Sequence, residues 1–161
     1  MKKAPTKIVA IWTKRRSTLR ESTESFLVFL NILKQFDNNL GVWYEKGFSQ
    51  KEASKHKIVL EYDYMKKKAC STCNDDDYPE YAFDFNFWNG CLTDSESLSV
   101  RASIGGTGKV SNNLCILSLP YNGRIYDHYS ISENWYELRN LFVDYWKAEK
   151  TRDINGQLIL L

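Results

Sequence analysis

Residues 80–88 read Glu-Tyr-Ala-Phe-Asp-Phe-Asn-Phe-Trp, and this stretch decides the fold. Tyr81, Phe83, Phe85 and Phe87 fall on one side of an extended chain; Ala82, Asp84, Asn86 and Trp88 fall on the other. Strict alternation is the mark of a strand with one buried face, the kind that builds antiparallel sheets. Asn89-Gly90 follows as a turn signal.

Working downstream, residues 97–104 and 114–119 are two more strands. They flank Gly105-Gly106-Thr107-Gly108-Lys109, which predicts a hairpin with a long loop. Pro120 stops the second of them, because proline cannot donate to the ladder. From Ser132 to Lys147, Trp135, Leu138, Leu141, Phe142, Tyr145 and Trp146 recur at three- and four-residue spacing, an amphipathic helix. Residues 158–161, beyond Arg152, begin another strand.

Upstream, residues 66–79 read as an exposed loop with room for a helical turn, and residues 58–64 fit strand or helix equally well. Ser49-Gln50-Lys51-Glu52 matches a capping box and opens a short helix after the aromatic linker 42–48. Residues 25–36 form a helix whose apolar positions cover most of its circumference, which predicts a largely buried helix capped at Ser22 or Thr23. Residues 14–20 are a basic connection, and residues 7–13 are a buried, β-branched strand. The order predicts an α+β fold: one domain over residues 1–161, with an antiparallel sheet packed against helices on one face.

Composition agrees with a folded domain. The 161 residues are 43% hydrophobic and 14% aromatic, which excludes disorder as the overall state. No apolar run is long enough to span a bilayer, and residues 8–12 are too short for a signal-peptide core. A cytoplasmic protein with reduced cysteines is expected. Net charge is +2, but it is unevenly spread. Residues 1–68 carry 15 Lys/Arg against 7 Asp/Glu, whereas residues 69–100 carry 7 acids and no Lys, Arg or His. Such a stretch predicts a negative surface patch.

Several motifs bear on chemistry. The glycine cluster is no phosphate loop: Ser103 stands where the first Gly belongs, and Val110 where Ser or Thr should follow Lys109. Cys70-Ser71-Thr72-Cys73 lacks a second close pair in Cys91 and Cys115, so neither a metal nor a cofactor is expected. His56 and His128 belong to no recognisable hydrolytic motif, and no catalytic residue is expected. A Cys–His pair formed in space stays open at this point. Lys14-Arg15-Arg16 and Lys66-Lys67-Lys68 suit a solvated face better than a nucleic-acid groove, since the acidic middle third opposes phosphate. The most function-like segment is Asp75-Asp76-Asp77-Tyr78-Pro79-Glu80-Tyr81. Tyrosine is enriched in interfaces, and grouped acids steer a basic partner.

The punctuation of the chain resembles the immunity protein 52 family. Residues 26–36 followed by Val42-Trp43-Tyr44-Glu45-Lys46-Gly47-Phe48-Ser49 resemble its N-terminal signature of a long helix, a Trp, a Gly and a Ser opening a second helix. Phe85-Asn86-Phe87-Trp88-Asn89-Gly90 resembles its strand ending in Trp-Asn-Gly; residues 113–120 resemble a later strand closing on Pro, and residues 138–146 a final helix ending in Trp. The resemblance runs from about residue 19 to 147. Family members continue into further strands with a Gly-Trp-rich end. The stop at Leu161 therefore reads as a shorter variant or a truncation. The resemblance implies a bacterial protein that binds and neutralises a cognate toxin, of restriction-endonuclease-like type, without catalysis. On this reading Trp43, Trp88 and Trp146 belong to the core, and toxin contact falls to Asp75, Asp76, Asp77, Tyr78, Glu80 and the linker residue Tyr44. The competing readings are a small nucleic-acid-binding or regulatory module using the basic N-terminal third, and a cysteine-dependent metal or redox protein.

Overall fold

The computed structural model describes residues 6–46, 50–53, 55–69, 82–107 and 113–161. Within them the chain forms one antiparallel sheet of seven strands. These are β1 (Lys7–Trp12), β2 (Tyr44–Glu45), β3 (Phe83–Trp88), β4 (Ser99–Ile104), β5 (Asn113–Ser118), β6 (Lys150–Arg152) and β7 (Leu158–Leu160). Across the sheet they run β2-β3-β4-β5-β1-β6-β7. The first strand therefore lies inside the sheet, paired with β5 along its whole length and with β6 on its other side. Its sequence explains this: Ile8, Ala10 and Trp12 are buried on one face and Val9 on the other, as an interior strand requires.

Pairing register sorts the side chains into two faces. Ile8, Ala10 and Trp12 share a face with Cys115 and Leu117 of β5, with Val100, Ala102 and Ile104 of β4, and with Phe83, Phe85 and Phe87 of β3. All of these are buried in one core. Two helices cover that face. In α1 (Leu19–Phe36), Phe26 packs on Phe85 and Phe87. In α5 (Ser132–Trp146), Trp146 stacks on Trp12 with ring centroids 5.0 Å apart. Phe29 of α1 joins the two helices by meeting Phe142 edge-on and Tyr145 and Trp146 at a tilt. Each fully buried large apolar side chain contributes about 1.5–3 kcal/mol, so this aromatic cluster is the main adhesive between the layers. The expected α+β sheet with helices on one face is the structure found.

Some local expectations need correcting. Helix α1 starts at Leu19 and is capped by Thr18, whose hydroxyl accepts from the Glu21 N–H at 3.1 Å while Glu21 accepts from the Thr18 N–H at 3.2 Å. Ser22 and Thr23, the expected caps, lie buried inside the helix. The helix is not buried all round: Phe26, Phe29, Leu30 and Leu33 form the buried stripe, while Val28 is half exposed. Residues 58–60 are irregular, and α3 (Tyr62–Lys68) follows, so Lys66, Lys67 and Lys68 belong to the end of a helix, the helical alternative for that segment. The short helix α2 (Gln50–Ala53) stands where Ser49 announced one, although Ser49 itself lies outside the described residues. Helix α4 (Gly123–Tyr129) and strand β6 were not anticipated. Trp88 is buried but points away from the helical face, beside β2.

Candidate functional site

Tyr44 and Glu45 form β2 at one edge of the sheet, opposite Trp88 and Phe87. The pairing places Tyr44 on the open face and turns Glu45 toward the helices. Glu45 anchors α3 to the edge: its carboxylate accepts from the Tyr64 hydroxyl at 2.8 Å, forms an ion pair with Lys68, and stands 4.0 Å from His56 Nδ1. Burial would raise the Glu45 carboxyl, but the hydrogen bonds from Lys68 and Tyr64 and the nearby positive charges outweigh it, and its pKa lies below the ordinary value. Burial and the Glu45 charge push the Tyr64 phenol up to about 12. The Trp88 indole donates to the Glu45 carbonyl at 3.0 Å, tying β3 to β2 through a side chain as well as the ladder.

The Trp-Asn-Gly motif is thereby explained as structure. Asn89 donates to the Glu96 carbonyl and accepts from the Cys91 and Leu98 N–H groups, holding the β3–β4 connection closed. Gly90 adopts a left-handed φ of +72°, and a Cβ there would stand 2.5 Å from the Tyr44 ring. Tyr44 is therefore a partly buried ring seated over a turn. Of the six residues expected to touch a toxin, it is the one whose position is described; Asp75, Asp76, Asp77, Tyr78 and Glu80 lie outside the described residues. The segment that holds them joins α3, which Glu45 tethers, to β3, the neighbour of β2.

The basic clusters are partly spent on the fold. Arg15 donates to the Trp146 carbonyl at 2.8 Å and the Lys147 carbonyl at 3.2 Å, and it lies 5.7 Å from the centroid of the Trp12 ring. It thus closes the C-terminal end of α5, where a cation is favoured. Lys68 is held by Glu45. Cys115 is fully buried in the core, and burial pushes its thiol well up, so it is a packing residue and not an exposed nucleophile. Cys70 and Cys73 lie outside the described residues.

Two surface hollows escaped the sequence reading. A trough of 640 Å³ lies on the open face, floored by Val9, Ile11, Leu114 and Ile116 and walled by residues 152–156. A polar groove of 530 Å³ lies where the end of α1 meets α4 and α5, lined by Asp37, Arg124, His128 and Glu137 among others. Asp37 of its lining accepts from the buried Tyr129 hydroxyl at 2.7 Å, and burial followed by that contact raises the phenol. The trough was foreshadowed by the apolar residues on both faces of β1. The groove had no such signal, because α4 was not recognised.

One antiparallel sheet with two long helices packed on one face defines an α+β protein. Among the described residues no His, Cys, Asp and Glu group is arranged to hold a metal ion, and no helix is long and apolar enough to cross a membrane. The profile of the immunity protein 52 family matches residues 7–133, and the chain belongs to that family. The match starts with β1 and ends in the first turn of α5, so the last helix with its Trp, and the β6–β7 hairpin, fall outside it. A search of curated proteins returned no match. Membership makes the chain an immunity protein, with a toxin as its partner.

Proposed function

We propose that this immunity protein neutralises a nuclease toxin of restriction-endonuclease-like type in the cytoplasm, by tight stoichiometric association and without catalysis. The observation that carries this reading is the family match over residues 7–133. The contact surface proposed is Asp75, Asp76, Asp77, Tyr78 and Glu80 together with Tyr44. Charge supports it. A nuclease presents cations to phosphate, and residues 69–100 hold 7 acids and no positive side chain. Carboxylates in that position either occupy the phosphate groove directly or bind beside it. In both cases they accelerate association through long-range attraction.

The test is a titration of purified toxin domain with purified immunity protein. Activity should fall linearly and reach its floor at one equivalent; inactivation by a small fraction of an equivalent would mean turnover and would refute the reading. Replacing Asp75, Asp76, Asp77 and Glu80 by Asn or Gln should slow association and flatten its salt dependence. If the four acids serve as a contact surface, folding should shift by no more than about 0.5 kcal/mol. An unchanged on-rate and salt slope would remove the acidic segment from the interface.

A further inference from the structure

Helices α1 and α5 meet along a seam on the outside of the molecule. The Tyr145 hydroxyl donates to the Ser25 carbonyl at 2.6 Å towards one end, and Phe36 and Glu137 line the same groove at the other, so the two helices run antiparallel. Residues four apart form one ridge of a helix surface. Beside the seam, one ridge of α1 reads Glu24, Val28, Ile32, Phe36, and one ridge of α5 reads Glu133, Glu137, Leu141, Tyr145. Val28 and Phe36 are 50% and 37% exposed, and Ile32, Leu141 and Tyr145 are half-buried. A lone exposed apolar side chain needs no explanation, whereas an apolar strip rimmed by charge marks an interaction surface.

The rim is acidic. Glu133, Glu137 and Asp144 are exposed, and no ion pair holds them among the described residues. Glu24 pairs with Arg20, and Asp37 is spent on Asn39 and Tyr129. The nearby cations Arg124 and His128 stand at the α4 end of the groove, and Arg139, the basic residue of α5, lies over the Tyr136 ring. The opposite face of the sheet has the other sign. Register puts Lys7, Arg101 and Lys150 there beside Val9 and Ile11, and Arg152 lines its trough. The acids on that face are engaged: Asp84 accepts from Ser103, and Asp153 accepts from the Asn155 and Gln157 N–H groups.

We propose that the seam between α1 and α5 is a docking surface for the toxin, fitted to a cationic patch that carries an exposed apolar side chain. It adds a second contact to the acidic segment, and it rests on the reading of the toxin as a nuclease, whose phosphate-binding surface is positive. Charge selects this occupant. A nucleic acid brought to Glu133, Glu137 and Asp144 meets like charge, and so does a second copy presenting the same seam. A cationic groove laid on the open sheet face meets Lys7, Arg101, Lys150 and Arg152. On the seam it finds free carboxylates at the border and apolar side chains between them, the arrangement of a polar rim around an anchor. Phe29 packs edge-on against Phe142 beneath the seam, which locks the two helices together. The surface is therefore formed before the partner arrives, and little ordering is lost on binding.

The probe is the purified toxin domain of the titration above, and the readouts are its association and dissociation rates with the whole chain at several salt concentrations. Glu137→Lys/Asp144→Lys should slow association about tenfold and flatten its salt slope. Val28→Ser/Phe36→Ser should speed dissociation about tenfold, with association little changed. Both variants should keep the far-ultraviolet spectrum of the parent. Lys7→Glu/Arg101→Glu, on the open face, should associate at least as fast as the parent. Salt-dependent binding that neither seam variant alters would overturn the proposal and leave the nuclease reading standing. Parent binding indifferent to salt would overturn both, because the toxin would then present no cationic surface. Weakening by the open-face variant, with the seam variants silent, would move the contact to the sheet and overturn the proposal.

Discussion

At the scale of single residues, Gly90 and Glu45 hold the β2 edge in different ways. A side chain at Gly90 meets two penalties: a left-handed φ of +72° and the Tyr44 ring 2.5 Å from the new Cβ. Gly90→Ala should therefore cost at least about 1 kcal/mol in urea unfolding and should loosen Tyr44; an unchanged midpoint would refute the packing argument. Glu45 makes the edge pH-sensitive. Its folded pKa is depressed, so its contribution is complete above the unfolded value of about 4.3 and is lost as pH falls through the lower folded value. Glu45→Gln should be less stable than the parent at neutral pH, and the gap should narrow in acid; a constant gap from neutral pH to about pH 3 would contradict it. Tyr64→Phe removes one hydrogen bond to the carboxylate and should cost about 1.5 kcal/mol.

At the scale of elements, α1 shows how a cap competes with its neighbours. The sequence offers Thr18, Ser22 and Thr23 within six residues, and any of them has the chemistry for an N-cap. Thr18 is used, closing a capping box with Glu21, while Ser22 and Thr23 lie buried one turn further in. Ser22 instead hydrogen-bonds Ser17 at 2.6 Å, beside Gly105. Thr18→Ala should cost about 1 kcal/mol in urea unfolding, and no loss would mean the helix starts later. Helix α4 was missed because Gly123-Arg124-Ile125-Tyr126-Asp127-His128-Tyr129 carries no long apolar period. It is held by tertiary contacts, among them Tyr129 on Asp37 and Asn134 on the His128 carbonyl.

At the scale of the whole molecule, the Trp12–Trp146 stack joins the first strand to the last long helix. Thr151 adds to that closure: its hydroxyl donates to the Val9 carbonyl at 2.7 Å, bonding β6 to β1 from within the core. Trp146→Ala should cost about 3–5 kcal/mol and lower the unfolding midpoint for sheet and helix signals together, because both layers share one core. A variant whose midpoint stays put would show that the stack is peripheral. Toxin binding by the folded fraction of this variant should persist, since Trp146 faces inward at 4% exposure.

The sequence by itself determined the local periodicities: the alternation of β3, the hairpin of β4 and β5, the stripe of α5 and the apolar run of β1. Each is written in the spacing of neighbouring residues, where the geometry of strand and helix decides burial. It also determined membership of the family, whose punctuation lies at Trp43, Trp88-Asn89-Gly90 and Pro120. The tertiary structure alone decided that β1 lies between β5 and β6, that Trp88 faces away from the helices, and that Arg15 caps α5. It alone decided that residues 56–58 cover the β2 edge. These are pairings between residues tens of positions or more apart, set by which apolar faces exclude water together. No local pattern encodes that choice, because any strand with the same alternation can pair equally well until the whole core is assembled.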